Sequence, residues 1–215
     1  MKLILIRHGE TYANALYHTP DRILIGALDS PLTELNETGR LQALSTRNKL
    51  EGIHVDEVYC SDLTRTRQTA SIIFGEREIH YTPLLRERSL GKDEGQRVDI
   101  VFADSEAWKY HVDYDKDTLE ECLSKKVIDG ENYLMVIDRC REFLNKLDFN
   151  EDRTIAVVAH FHLLRCLCYL IQNKPIDKEI YQLLIPNAEP MFFEFIQCRF
   201  VHQNQDYVLK IPADS

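Results

Sequence analysis

Residues 2–14 read Lys2-Leu3-Ile4-Leu5-Ile6-Arg7-His8-Gly9-Glu10-Thr11-Tyr12-Ala13-Asn14. Leu3 to Ile6 is a short unbroken apolar run, rich in branched side chains. Such a run reads as a strand buried on both faces, as in the middle of a parallel sheet. The apolar character stops at Arg7-His8-Gly9, so a cation and an imidazole stand at the C-terminal end of a central strand. In open α/β sheets that end is where ligands bind. Gly9 lets the backbone come close to a ligand or take a positive φ. Glu10, Thr11 and Asn14 then start a helix or supply polar contacts.

Two later segments repeat the pattern. Val55 to Cys60 reads as a second strand, followed by Ser61-Asp62-Leu63-Thr64-Arg65-Thr66-Arg67-Gln68-Thr69-Ala70. Ser61 and Asp62 are good N-cap residues, which places Arg65 near the first turn of a helix. An arginine beside the free amides of a helix start suits phosphate capture. Thr154 to Ala159 is the clearest strand after the first, and His160 follows it directly. Between these, Thr38 or Asn36 caps a helix over about 39–51, with Leu41, Ala43, Leu44 and Leu50 mostly inward. Glu78 to Thr82 is a weak third strand. Asp99–His111 and Thr118–Val127 read as helical. Tyr133 to Leu147 reads as an amphipathic helix with Leu134, Ile137, Cys140, Phe143, Leu144 and Leu147 on one side. Leu163 to Gln172 is an apolar helix that packs on the sheet. Met191 to Arg199 is a largely apolar strand, which Tyr207–Ile211 extends as a hairpin.

The 215 residues suffice for one large α/β domain or two small ones. No run reaches the length of a transmembrane helix, and the N-terminus is charged too soon for a signal peptide. A cytoplasmic protein is therefore expected. Six cysteines, at 60, 122, 140, 166, 168 and 198, lack metal-ligand spacing. Free thiols are expected, with Cys166-x-Cys168 a packing pair. The net charge of −9 argues against nucleic-acid and membrane-surface binding. It does not exclude an anionic substrate, because cations clustered in one pocket dominate the local field.

Leu5-Ile6-Arg7-His8-Gly9-Glu10-Thr11 followed by Asn14 resembles the signature of the histidine phosphatase superfamily, which includes the cofactor-dependent phosphoglycerate mutases. The segment around Arg65 resembles the family's Ser-x-x-x-Arg-x-x-Gln-Thr pattern and carries its phosphate-binding role onto Arg65. Leu85-Arg86-Glu87, with Gly91 and Gly95 behind it, resembles the proton-donor loop and assigns that role to Glu87, with Glu94 as the alternative. Asp29-Ser30-Pro31-Leu32-Thr33 and Gly39-Arg40-Leu41-Gln42-Ala43 resemble the segment around the first helix, with a small local insertion. Strand-then-His160 matches the second histidine, with Phe161 where the family has glycine. The family uses the amide after that histidine to bind phosphate. A bulky residue disfavours positive φ there, so Phe161 narrows the pocket or weakens phosphate binding. His162 is a further donor or an ordinary helix-start residue, the second being favoured.

The resemblance implies one domain over 1–215: a three-layer αβα sandwich with a mostly parallel central sheet and a cap-like helical insertion at about 96–129. Alternating strands and helices support that architecture independently. In the family such an insertion shapes substrate choice, so Trp108, Lys109, Tyr110, His111 and Lys125 are candidate substrate contacts. The chemistry expected is phosphoryl transfer without metal or other cofactor. His8, as a neutral imidazole, is the nucleophile. Arg7 and Arg65 bind the phosphoryl oxygens bidentately, and Asn14, His160 and the Phe161 position complete the phosphate site. Glu87 protonates the leaving oxygen and then activates water, which a raised pKa would help. The reaction expected is hydrolysis of a small phosphorylated metabolite. A phosphoglycerate mutase is the first alternative, and a non-catalytic phosphate-ligand module, favoured by Phe161, the second. The oligomeric state stays open, a homodimer included.

Overall fold

The computed structural model describes residues 1–149, 151–196 and 199–202. Among the described residues, six strands form one sheet in the order β3-β2-β4-β1-β5-β6. They are β1 (Lys2–Arg7), β2 (Glu57–Cys60), β3 (His80–Tyr81), β4 (Thr154–Ala159), β5 (Pro190–Ile196) and β6 (Arg199–His202). The four strands β3, β2, β4 and β1 run parallel, while β5 and β6 close the far side antiparallel. The proposed hairpin strand at Tyr207–Ile211 lies outside the described residues, as does Cys198.

The expectation that β1 is buried on both faces holds, and alternation explains how. Leu3 and Leu5 join a core cluster with α6 (Tyr133–Leu144) and α7 (Phe161–Ile171). Ile4 and Ile6 face the other way, into a cluster with residues of α2 (Glu37–Lys49) and α3 (Thr64–Phe74). In β4, Ile155, Val157 and Ala159 likewise face the first cluster, and Ala156 and Val158 the second. A strand with a helix layer on each side has no wet face, hence its continuous apolar run.

Several helix boundaries differ from the sequence reading. Asn36, not Thr38, caps α2, accepting from the Gly39 amide at 2.8 Å. Leu41 and Leu44 of α2 are exposed rather than inward, and Gly39, Ala43 and Thr46 are its buried positions. Neither Ser61 nor Asp62 is the N-cap of α3. That position is Leu63, and the Asp29 carboxylate accepts from the Thr64 amide at 3.1 Å instead. In α6 the inward stripe is Tyr133, Val136, Ile137, Cys140 and Phe143, with Leu134 exposed. The stretch read as Asp99–His111 splits into α4 (Val98–Ala103) and a 3₁₀ turn, Ser105–Lys109. It is followed by α5 (Leu119–Ser124). A four-residue helix, α1 (Tyr12–Ala15), starts with a reciprocal cap between Thr11 and Asn14.

Two backbone contacts seat the loop after β1. A Cβ added to Gly39 would lie 2.0 Å from the Glu10 carbonyl oxygen, and one on Gly9 would lie 2.4 Å from that of Gly39. Only glycine fits at either position, so the start of α2 presses backbone to backbone on the residues after His8. Gly91 has a second reason to be glycine: its φ is +53° and a Cβ there would meet the Ile128 carbonyl at 2.0 Å. It fastens the loop carrying Glu87 to the far end of the 96–129 segment.

Candidate active site

β1 and β4 are paired in register, Arg7 opposite Ala159, so both chains leave the sheet at the same level. The His8 amide still bonds the Ala159 carbonyl at 3.0 Å. His8 and His160 consequently lie side by side, ring centroids 5.3 Å apart and tilted by 58°. The parallel order that makes these strands neighbours turns two histidines far apart in sequence into one site.

His8 is buried, with Nδ1 2.8 Å from the Gly9 carbonyl. A carbonyl only accepts, so the proton sits on Nδ1 and Nε2 carries the lone pair. Burial, then Arg65 and Arg7, hold the His8 pKa well below the ordinary imidazole value. The ring is therefore neutral at pH 7.

Arg65 is almost fully buried in the first turn of α3. It donates to the carbonyls of Leu28 at 2.8 Å and Gly26 at 2.9 Å, and through Nε to His160 Nδ1 at 3.2 Å. His160 Nδ1 is thus an acceptor, which places its proton on Nε2, 2.9 Å from the Ser61 hydroxyl. Burial, with Arg65 and His8 next, pushes its pKa well below the ordinary value. Both nitrogens of His160 are engaged within the protein, one with Arg65 and one with Ser61.

Arg7 donates to the Ile185 carbonyl at 2.9 Å, while its buried Nε has no hydrogen-bond partner. Burial draws its pKa down to about 10, against Glu87 and with a further push from Arg165 and Arg65. It remains a cation at neutral pH. Phe161 explains its position. As the first residue of α7 it has helical dihedrals and no positive φ, so the expected backbone conflict is absent. Two guanidinium groups lie over its ring, Arg7 at 4.7 Å and Arg165 at 3.9 Å. Phe161→Gly removes that ring and leaves Arg7 free to change rotamer, at about 1–2 kcal/mol of lost cation–π attraction. If Arg7 binds the phosphate, KM for an aryl phosphate rises about tenfold in this variant while kcat changes less than about threefold. A rise in kcat at unchanged KM would mean that the ring merely obstructs the pocket.

Glu87 is buried at the start of α7. It accepts from the amides of Arg88 at 2.9 Å, His162 at 3.1 Å and Leu163 at 3.2 Å. Burial alone would raise its pKa, but His162, His160 and the amide donors outweigh burial and hold the carboxyl well below its usual range. The raised value wanted of a proton donor is not found, because donors at the start of a helix favour the anion. Glu94, the alternative, is spent elsewhere: one oxygen accepts from the amides of Ala27 and Leu90 and from the Ser89 hydroxyl.

Asn14 turns its carbonyl oxygen to the Thr11 amide at 3.2 Å, which leaves its NH₂ as the outward donor. The candidate contacts of the insertion are held among themselves. Lys109 pairs with Glu106, Lys125 with Asp117, and His111 with Asp93 at 2.8 Å, while Trp108 stacks on Phe102 at 4.5 Å. Tyr110 is exposed. None of these contacts reaches His8.

Other supports escaped the sequence reading. Thr69 accepts from the Gly9 amide at 3.0 Å, and Gln42 from the Glu10 amide at 2.9 Å. Arg165 is buried and donates to the Leu183 carbonyl at 2.6 Å. Arg88 is buried over the Tyr133 ring at 4.9 Å. A charged residue inside an otherwise apolar helix was the available signal for Arg165. The free cysteines 60, 122, 140, 166 and 168 are all buried, and burial pushes Cys166 and Cys168 up to about 12, consistent with packing roles.

His8, His160 and His162 share a depressed pKa, with burial the first cause in each. The unfolded chain takes up protons at ~6.5, before the folded chain does. Stability therefore falls as pH drops below that value, by on the order of 1 kcal/mol per pH unit for each histidine. Urea unfolding at pH 7 and 5.5 measures this, and an unchanged midpoint would contradict the depressed pKa of these three rings.

The chain belongs to the histidine phosphatase superfamily, branch 1, whose family model matches residues 3–205. Among curated relatives, a probable phosphoglycerate mutase of Erwinia tasmaniensis is 30% identical over 83% of this chain and 78% of its own. A probable phosphatase of Schizosaccharomyces pombe is 42% identical over 101 residues, 46% of this chain and 44% of its own. The alpha-ribazole phosphatase structure from Shigella flexneri superposes with a TM-score of 0.78 at 23% identity, covering 94% of this chain and 95% of that one. That likeness carries the fold. No helix among the described residues is long and apolar enough to cross a membrane.

Proposed function

We propose that the protein is a metal-independent phosphatase of a small phosphorylated metabolite, working through a phosphohistidine on His8. The observation that carries this reading is the tautomer of His8: Nδ1 is tied to the Gly9 carbonyl, so Nε2 is a neutral nucleophile between buried guanidinium groups. Arg7 and Arg65 bind the phosphoryl oxygens and offset the charge that builds up in the transition state. Asn14 adds its NH₂, and His160 holds Arg65 in place. Glu87 protonates the leaving oxygen, and in the second half-reaction it takes the proton of the attacking water. An arriving phosphate dianion beside Glu87 raises its pKa by like-charge repulsion, offsetting the amide donors that favour its ionised form. The local field answers the acidic composition: the protein is −9 overall, yet Arg7, Arg65, Arg88 and Arg165 all act on this one pocket, against Glu87.

The relative named as a probable phosphoglycerate mutase favours a second reading, in which the phosphohistidine returns its phosphate to the substrate. The ground for a non-catalytic binder was Phe161, and its ordinary helical backbone removes that ground. One paired assay separates the two enzymes: phosphate release from a panel of sugar, nucleotide and three-carbon phosphates, beside interconversion of phosphoglycerates with and without a bisphosphoglycerate primer. Release without primer supports the phosphatase. Primer-dependent interconversion moves the reading to the mutase.

A further inference from the structure

Protonation of the leaving oxygen needs a proton source. A carboxylate that accepts from three amides is held in its ionised form and has no proton for a leaving group. His162 stands where a source is needed. It is the second residue of α7, and its Nδ1 lies 3.5 Å from Glu87 Oε2. Its side chain is 28% exposed where that of Glu87 is 8%, so the pair meets solvent at the imidazole. The ring is seated edge-on against Tyr133 at 5.8 Å and Phe161 at 5.3 Å, which fixes its direction.

We propose that His162 is the proton reservoir of Glu87. In the first half-reaction His8 Nε2 bonds to phosphorus and the P–O bond to the alcohol breaks. The leaving oxygen takes a proton that the His162 imidazolium passes on through Glu87, which leaves a neutral imidazole beside an ionised carboxylate. In the second, water bonds to phosphorus and the P–N bond to His8 breaks. The water proton passes to Glu87 and on to His162. The imidazolium is restored, and no proton is gained or lost from the pair over a cycle. The inference rests on the phosphatase reading.

The groups that face this pair are arranged for such an exchange. Glu87 feels His8 and Arg7 from the end of β1, Arg65 from α3, and His160 from the end of β4. His162 is acted on by Glu87, which favours its protonated form, and by Arg88 and Arg165, which oppose it. A bound phosphate dianion offsets those arginines and shifts His162 towards imidazolium when a substrate is present.

The test uses the full chain and two aryl phosphates. His162→Asn keeps the backbone amide that holds Glu87 but cannot carry a proton. With phenyl phosphate, a poor leaving group, kcat falls about tenfold or more, within the range of general acid–base effects. With 4-nitrophenyl phosphate it changes less than about threefold, KM is preserved on both, and added imidazole restores part of the loss on phenyl phosphate. Equal losses on both substrates, or none on either, would overturn the proposal and leave His162 a helix-start residue. Wild-type protein inert on both would remove the phosphatase reading and the proposal with it. Active wild type beside an unaffected variant removes the proposal alone.

Discussion

His8→Ala lowers kcat on every phosphate monoester by at least ~10⁴-fold, the scale on which loss of a covalent nucleophile is felt. The fold survives, because the His8 ring makes one hydrogen bond, to the neighbouring carbonyl, and the seat of the loop is backbone. Circular dichroism and the unfolding midpoint should stay near wild type. The variant also loses the protein-bound intermediate: alkaline quench during turnover of a phosphate-labelled substrate, where a P–N bond survives, gives labelled protein in wild type and none in His8→Ala. Residual turnover within ~10-fold of wild type would remove His8 as nucleophile and with it the phosphohistidine.

The second large effect is selective. Glu87→Gln costs ~10²- to 10³-fold in kcat on phenyl phosphate and less than ~10-fold on 4-nitrophenyl phosphate, which departs without a proton. Glutamine keeps an oxygen for the amides of Arg88, His162 and Leu163, so the start of α7 remains satisfied. What it lacks is the ability to give a proton and take it back. The loss exceeds that of His162→Asn, because in that variant Glu87 still exchanges protons with water, whereas glutamine exchanges with nothing. Equal loss on both substrates would show that the carboxylate positions α7 and is not the acid.

How much of this was legible before the structure follows from range. The central strand, the two strand-end histidines and Arg65 could be read because each sits beside a strong local signal, a short apolar run that stops abruptly at polar residues. The stripe of α6 was misjudged at Leu134, where Tyr133 and Val136 take the inward places, because apolar residues also stand on the flank of the stripe. The exposed Leu41 and Leu44 are single apolar side chains on a solvated face, which no periodicity distinguishes from core. The cap of α3 was misplaced because its carboxylate comes from Asp29, far back in the chain. Phe161 was suspected of strain because a motif is a string of letters. The stack of Arg7, Phe161 and Arg165 exists only when β1 and α7 are side by side. The acidity of Glu87 went against expectation for the same reason: the amides that set it belong to a helix more than seventy residues downstream.

The interlock of Gly9 with Gly39 has a consequence for how this protein can change. The nucleophile is seated by main-chain atoms, which every mutation shares, and by two positions closed to any residue with a Cβ. Substitution therefore has no graded handle on where His8 sits; a change there is tolerated by the whole loop or by none of it. The pocket's other walls are made of side chains and are open to gradual alteration. Over generations such a molecule exchanges its substrates while keeping its chemistry, because one half of the site is written in backbone and the other in residues.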